Sequence, residues 1–209
     1  MKKILTLALC LVSLSFFGCA KAGLKNVDPS WTEPATAITI LYTEPTVKNQ
    51  DDVADDLPDY ANDFTGWFTS QMASEFNSQA GVTPNFKQKA NITDFTLTNT
   101  KFGKKEFIIP SPKFDELGEI EGVVIAMSNI EIARVSETRI TGPGSVTTTF
   151  YLQFSGEYSI SNMANKTVVA SGTFKARQSY GIAMTKGDWE KAMNILVEEI
   201  LKDTPLKKN

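Results

Sequence analysis

The side chain best placed to do chemistry is Cys19, which closes the run Ser15-Phe16-Phe17-Gly18-Cys19-Ala20. A cysteine directly after an apolar segment and a glycine reads as a lipobox, whose thiol takes a diacylglycerol after export. Ahead of it, Met1-Lys2-Lys3 is a positive start and Ile4 to Phe17 is an uncharged apolar stretch. That stretch is too short to span a bilayer, which takes roughly 20 apolar residues, and it has the form of a secretory signal. Two cuts compete: before Cys19, or after Ala20-Lys21-Ala22, an A-x-A site for the ordinary signal peptidase. Phe16 and Phe17 depart from the usual lipobox, which has Leu and a small residue there. Gly18-Cys19 favours lipidation.

Other reactive chemistry is scarce. Cys10 is the one further cysteine, so the chain after Cys19 has no disulfide framework and no Cys-based zinc site. There is no histidine, which removes Ser-His-Asp and Cys-His catalysis and the usual general base near neutral pH. A formal charge of −3 argues against nucleic acid as a partner. No phosphate-binding loop or G-x-S-x-G motif occurs, and Gly142-x-Gly144 joins strand to strand as a turn. Glu116, Glu119 and Glu121 are close in sequence, but no pocket-forming residues flank them. No cofactor and no metal site is expected, and a non-enzyme is the reading that results.

One cluster remains as a contact surface. Asp51, Asp52, Asp55, Asp56 and Asp59 fall in a segment, Asn49 to Phe86, that has no Lys or Arg. They lead into a helix and suit its positive end, with Asp59 as a cap. They are also the candidate surface for a basic partner. Their spacing does not match a calcium-binding EF-hand loop.

The elements that must position these groups follow from periodicity. Residues 1–18 are the signal and 19–35 a tether, with Trp31 either packed on the domain or at headgroup level. Residues 36–205 form one domain. Thr36 to Thr43 is a first strand, stopped near Pro45. Tyr60, Phe64, Trp67, Phe68, Met72 and Phe76 recur at helical period and bury one face, with Gly81 as the stop. Phe95 to Leu97 and Glu106 to Ile109 form a strand pair around the turn Lys101-Phe102-Gly103-Lys104-Lys105, whose lysines guard a sheet edge. Three long alternating strands follow, over Gly122–Val135, Thr147–Ser161 and Val168–Ala176. Thr185 and Asp188 open a last helix carrying Trp189, Met193, Leu196 and Ile200 on one stripe. The fold class is α+β: an antiparallel sheet of about five to six strands with two amphipathic helices packed on one face.

Phe150-Tyr151-Leu152-Gln153-Phe154 leads through the turn at Asn165-Lys166 to Thr167-Val168-Val169-Ala170-Ser171-Gly172-Thr173-Phe174. The closing helix then runs from Trp189-Glu190-Lys191-Ala192-Met193 to Ile200-Leu201. This layout resembles small Gram-negative envelope lipoproteins, especially the ABC-type-transport auxiliary lipoproteins and, more loosely, the lipoprotein partner of the lipopolysaccharide-assembly barrel. The resemblance implies a non-enzymatic accessory of envelope transport or assembly. Such a protein is held to the outer membrane through lipidated Cys19, faces the periplasm, and has an envelope protein or lipid as partner. Two alternatives stay open: a lipid- or peptide-binding module with an apolar cavity between helices and sheet, and a carboxylate-only enzyme. A cut after Ala22 would leave the domain soluble in the periplasm or secreted.

Overall fold

The computed structural model describes Gly23–Lys48 and Phe64–Lys208. Its frame is set by three long strands, β7 (Val123–Gly142), β8 (Ser145–Asn162) and β9 (Thr167–Tyr180), paired antiparallel in chain order. Strict alternation drives this. On β8, Leu152, Phe154, Tyr158 and Ile160 point to one side and Gln153, Ser155, Glu157 and Ser159 to the other.

The remaining strands correct the expected fold class. β2 (Ile38–Thr43) lies parallel to β7, and β4 (Asn85–Lys89) lies parallel to β2. With β1 (Lys25–Val27) antiparallel to β9, the order is β1-β9-β8-β7-β2-β4, and the short β3 (Thr46–Val47) also pairs with β7. The sheet is therefore seven-stranded and mixed, not an antiparallel sheet of five to six strands. Parallel pairing needs a long crossover. Here the helix α1 (Phe64–Ala80) lies in the connection between β2 and β4. The chain is also richer in strand than an even α+β balance implies. β5 (Phe95–Phe102) and β6 (Lys105–Pro112) stand apart as a separate two-stranded sheet. Pro110 and Pro112 lie within β6, which is possible because that strand has only one neighbour.

Part of the span read as tether is built into the sheet. β1 docks on β9, Asp28 N–H donates to Val169 C=O at 2.8 Å, and Trp31 is buried in the main core. Gly23 and Gly172 permit the docking. A Cβ on Gly23 would sit 1.8 Å from Thr173 O, and one on Gly172 would sit 2.3 Å from Leu24 O.

One face of the sheet is closed by α1 and α2 (Lys186–Leu201). Phe68, Met72 and Phe76 of α1 and Trp189, Met193, Leu196 and Ile200 of α2 are all fully buried against it. Trp189 is the centre of this layer, with ring contacts at 5.7 Å to both Trp67 and Phe154. Thr185 and Asp188 close the capping box of α2, with Thr185 N–H donating to Asp188 Oδ2 at 2.9 Å. The aromatic stripe of the first helix is thus core. Its first residue, Tyr60, lies outside the described residues.

Candidate functional site

The other face of the sheet is covered only in part. The root of the β5–β6 hairpin packs on it through a small apolar cluster that includes Phe95, Leu41, Val124, Ala126 and Met163. Ser159 Oγ donates to Pro110 C=O at 2.5 Å and fastens the root to β8. Toward its turn the hairpin stands off the sheet, leaving a groove of about 790 Å³.

Three chain-distant segments build this groove. Phe102, Lys104, Lys105 and Phe107 from the hairpin end form one wall, with the two rings 5.8 Å apart. Gly23 and Leu24, just ahead of β1, form part of the opposite side. They are held by Thr173, whose N–H donates to Leu24 C=O at 2.7 Å and whose Oγ1 accepts from Leu24 N–H at 3.0 Å. The floor is the polar side of the long strands: Asn129, Glu131, Gln153, Ser155, Glu157 and Lys175.

A bulge in β7 makes that floor. Ser128 pairs with Glu157 and Glu131 with Ser155, so two residues of β7, Asn129 and Ile130, oppose the single Gly156. Asn129 takes the left-handed conformation this requires, at φ 51°. Before the bulge, odd-numbered residues such as Ile125 and Met127 face the helices; after it, Ile130 and Ile132 do. Glu131 is thereby turned into the groove.

Charge in the groove is uneven. Lys48 forms an ion pair with Glu131. Glu157 is largely desolvated, and burial pushes its carboxyl above the usual range against a hydrogen bond from Asn129. Its Oε2 is buried with no hydrogen-bond partner among the described residues. Gln153 is fixed by Arg177, whose Nε donates to Oε1 at 2.7 Å, and Arg177 also pairs with Glu137. That pairing holds the Glu137 carboxyl below its usual range. Lys104 and Lys105 make no ion pair among the described residues, whereas Lys101 stands opposite Glu106 across the hairpin.

Beside the groove, Lys25 tethers the N-terminal segment to the end of α2. Its Nζ donates to Ile200 C=O at 3.2 Å and to Lys202 C=O, meeting carbonyls that the helix itself leaves open. Burial lowers its pKa to about 8, opposed chiefly by Asp203. Glu199, displaced upward by burial, accepts from Lys175 N–H at 2.5 Å.

Cys19 and Asp51, Asp52, Asp55, Asp56 and Asp59 lie outside the described residues. Glu116, Glu119 and Glu121 are all exposed, and no group of three or more potential metal ligands occurs among the described residues. What the sequence reading missed is the floor. Gln153, Ser155 and Glu157 were legible as the polar side of β8, but nothing local showed that a distant hairpin would roof them.

No family model matches the chain, and no curated protein matches it. Among solved structures, it is similar to a PelC dodecamer from Paraburkholderia phytofirmans, at 11% identity over 89% of this chain and 98% of that one, with a TM-score of 0.42. It is also similar to a neuraminyllactose-binding hemagglutinin homolog from Helicobacter pylori, at 12% identity over 82% of each chain, with a TM-score of 0.34.

Proposed function

We propose that this protein is a membrane-anchored, periplasm-facing lipoprotein that serves envelope transport or assembly as a non-enzymatic accessory, binding its partner in the groove under the β5–β6 hairpin. The observation that carries this reading is the position of Gly23 and Leu24. The segment that leads back to Cys19 is itself part of the groove, so anchoring and binding share one side of the molecule. No helix among the described residues is long and apolar enough to cross a membrane, so in this reading the anchor is the lipid on Cys19.

The helix side argues for placing the ligand elsewhere than between helices and sheet. There Phe68, Met72, Phe76, Trp189 and Leu196 are packed to full burial, while the hairpin side keeps open volume with polar and aromatic walls.

Metabolic labelling with palmitate tests the anchor. Label is expected on the wild-type chain and absent from Cys19→Ala, which should move from the membrane to the soluble fraction. A wild-type chain without label would sink the anchored reading. Charge reversal at Asp51, Asp52, Asp55 and Asp56 tests the acidic segment separately, by loss of a co-purified partner.

A further inference from the structure

We infer that the groove takes the phosphate-bearing headgroup of a phospholipid from the membrane that holds Cys19, with Lys104 and Lys105 on the phosphate and Phe102, Phe107 and Leu24 against the upper acyl chains. This rests on the lipoprotein reading above and deepens it by naming the ligand.

The first support is reach. Four residue steps separate Cys19 from Gly23 in the groove wall, and a fully extended chain covers about 3.5 Å per step. A lipid on Cys19 therefore holds Gly23, at the groove's edge, within about 14 Å of the bilayer surface. The headgroup zone adds roughly 5–8 Å on each side of the hydrocarbon core, so this tether lets Gly23 reach it.

The second support is charge. Lys104 and Lys105 sit at the hairpin end with no acidic residue across the strand pair, since Lys105 faces Phe102 and Glu106 is matched to Lys101. On the floor, Glu131 is answered by Lys48, and burial favours the uncharged form of Glu157. The groove thus opposes an anion with little and attracts it with Lys104 and Lys105. Basic residues near an anionic leaflet are drawn to it in this way.

The third support is the pairing of those lysines with apolar rings. Phe102 and Phe107 lie in the same wall, and Leu24 faces them partly exposed. Lysine stems and aromatic rings at one level are the residue types that settle at a membrane interface.

The test uses the full chain as the cell produces it, reconstituted into phosphatidylcholine vesicles that contain a photoactivatable phosphatidylglycerol. After illumination, label is expected on the peptide spanning Phe95–Pro112 in excess of label on α2. In a Lys104→Glu, Lys105→Glu variant it should fall by about tenfold or more, with the thermal melt unchanged because both side chains are exposed, Lys104 in the turn and Lys105 at the first position of β6. Equal labelling of the hairpin in wild type and variant would overturn the inference. So would abolition of labelling by millimolar inorganic phosphate, which would make the occupant a free anion. Palmitate on Cys19 is read in the same preparation: palmitate present with no hairpin label refutes the lipid groove alone, whereas palmitate absent refutes the anchor beneath it.

Discussion

On the helix side of the main sheet, Trp189, Phe68, Phe76 and Phe154 interlock at full burial, with aromatic centroids as close as 5.7 Å. On the hairpin side, a few strand residues further along, Gln153, Ser155 and Glu157 floor a groove of about 790 Å³. Both surfaces belong to the same strands, and period-two alternation supplies each with its own residues. The difference lies in the covering element. Two helices span their face, whereas a two-stranded hairpin fastened only at its root leaves its far end standing off. Stability is thus concentrated on one face and space for a ligand on the other.

Substitutions should separate the two. Trp189→Ala is the largest disturbance, because it empties the centre of the helix layer; a loss of about 3–5 kcal/mol is expected in urea unfolding. A loss below 1 kcal/mol would show that the helix face does not dominate stability. Gly172→Ala comes next. Its new Cβ would meet Leu24 O and Lys25 Cα, so β1 must shift off β9. A cost of about 1–3 kcal/mol is expected, with faster hydrogen exchange confined to residues 24–27 and their β9 partners.

Smaller effects come from titration. Lys25 has a folded pKa of about 8, below the 10.5 of the free side chain. Between these values the unfolded chain binds the extra proton, so this group's contribution makes stability rise as pH climbs from about 8 toward 10.5. Lys25→Met should flatten that rise in thermal melts across the window. Glu157 runs the other way. Its folded pKa lies above the usual 4.5, so its contribution is full below that value and is lost as pH rises through the folded pKa. Glu157→Gln should remove this loss and slightly raise the melting temperature at neutral pH. A lower melting temperature would mean that the carboxylate is held by a donor, and would weaken the contrast between the two faces.

Much of the fold was legible because long strands and helices advertise their periods. β7, β8, β9 and α2 announce themselves through Val123-x-Ile125-x-Met127, Leu152-x-Phe154 and the Trp189 stripe. The parallel pairings were not legible, since nothing in Ile38–Thr43 distinguishes a parallel from an antiparallel neighbour. β4, Asn85-Phe86-Lys87-Gln88-Lys89, carries one apolar residue, Phe86, which meets Tyr42 edge-on, and is otherwise recruited by backbone pairing. β1 depends on Gly23 lying against Thr173 and Gly172 against Leu24, and the Leu24–Thr173 bond spans 149 residues. The groove was hidden for the same reason: its walls come from segments that touch only after folding, and its lysines read locally as edge protection.

The bulge at Asn129 also acts as a phase slip in a periodic signal. Upstream of it the strand is read in one frame of in-and-out alternation, and downstream in the other. Were Asn129 paired as an ordinary strand residue, with no bulge, Val123 to Ser128 would keep their facing while everything after it inverted. Ile130 and Ile132 would then lie toward the groove and Glu131 toward Trp189's layer. One extra residue thus sets which downstream side chains are spelled to the core and which to the groove.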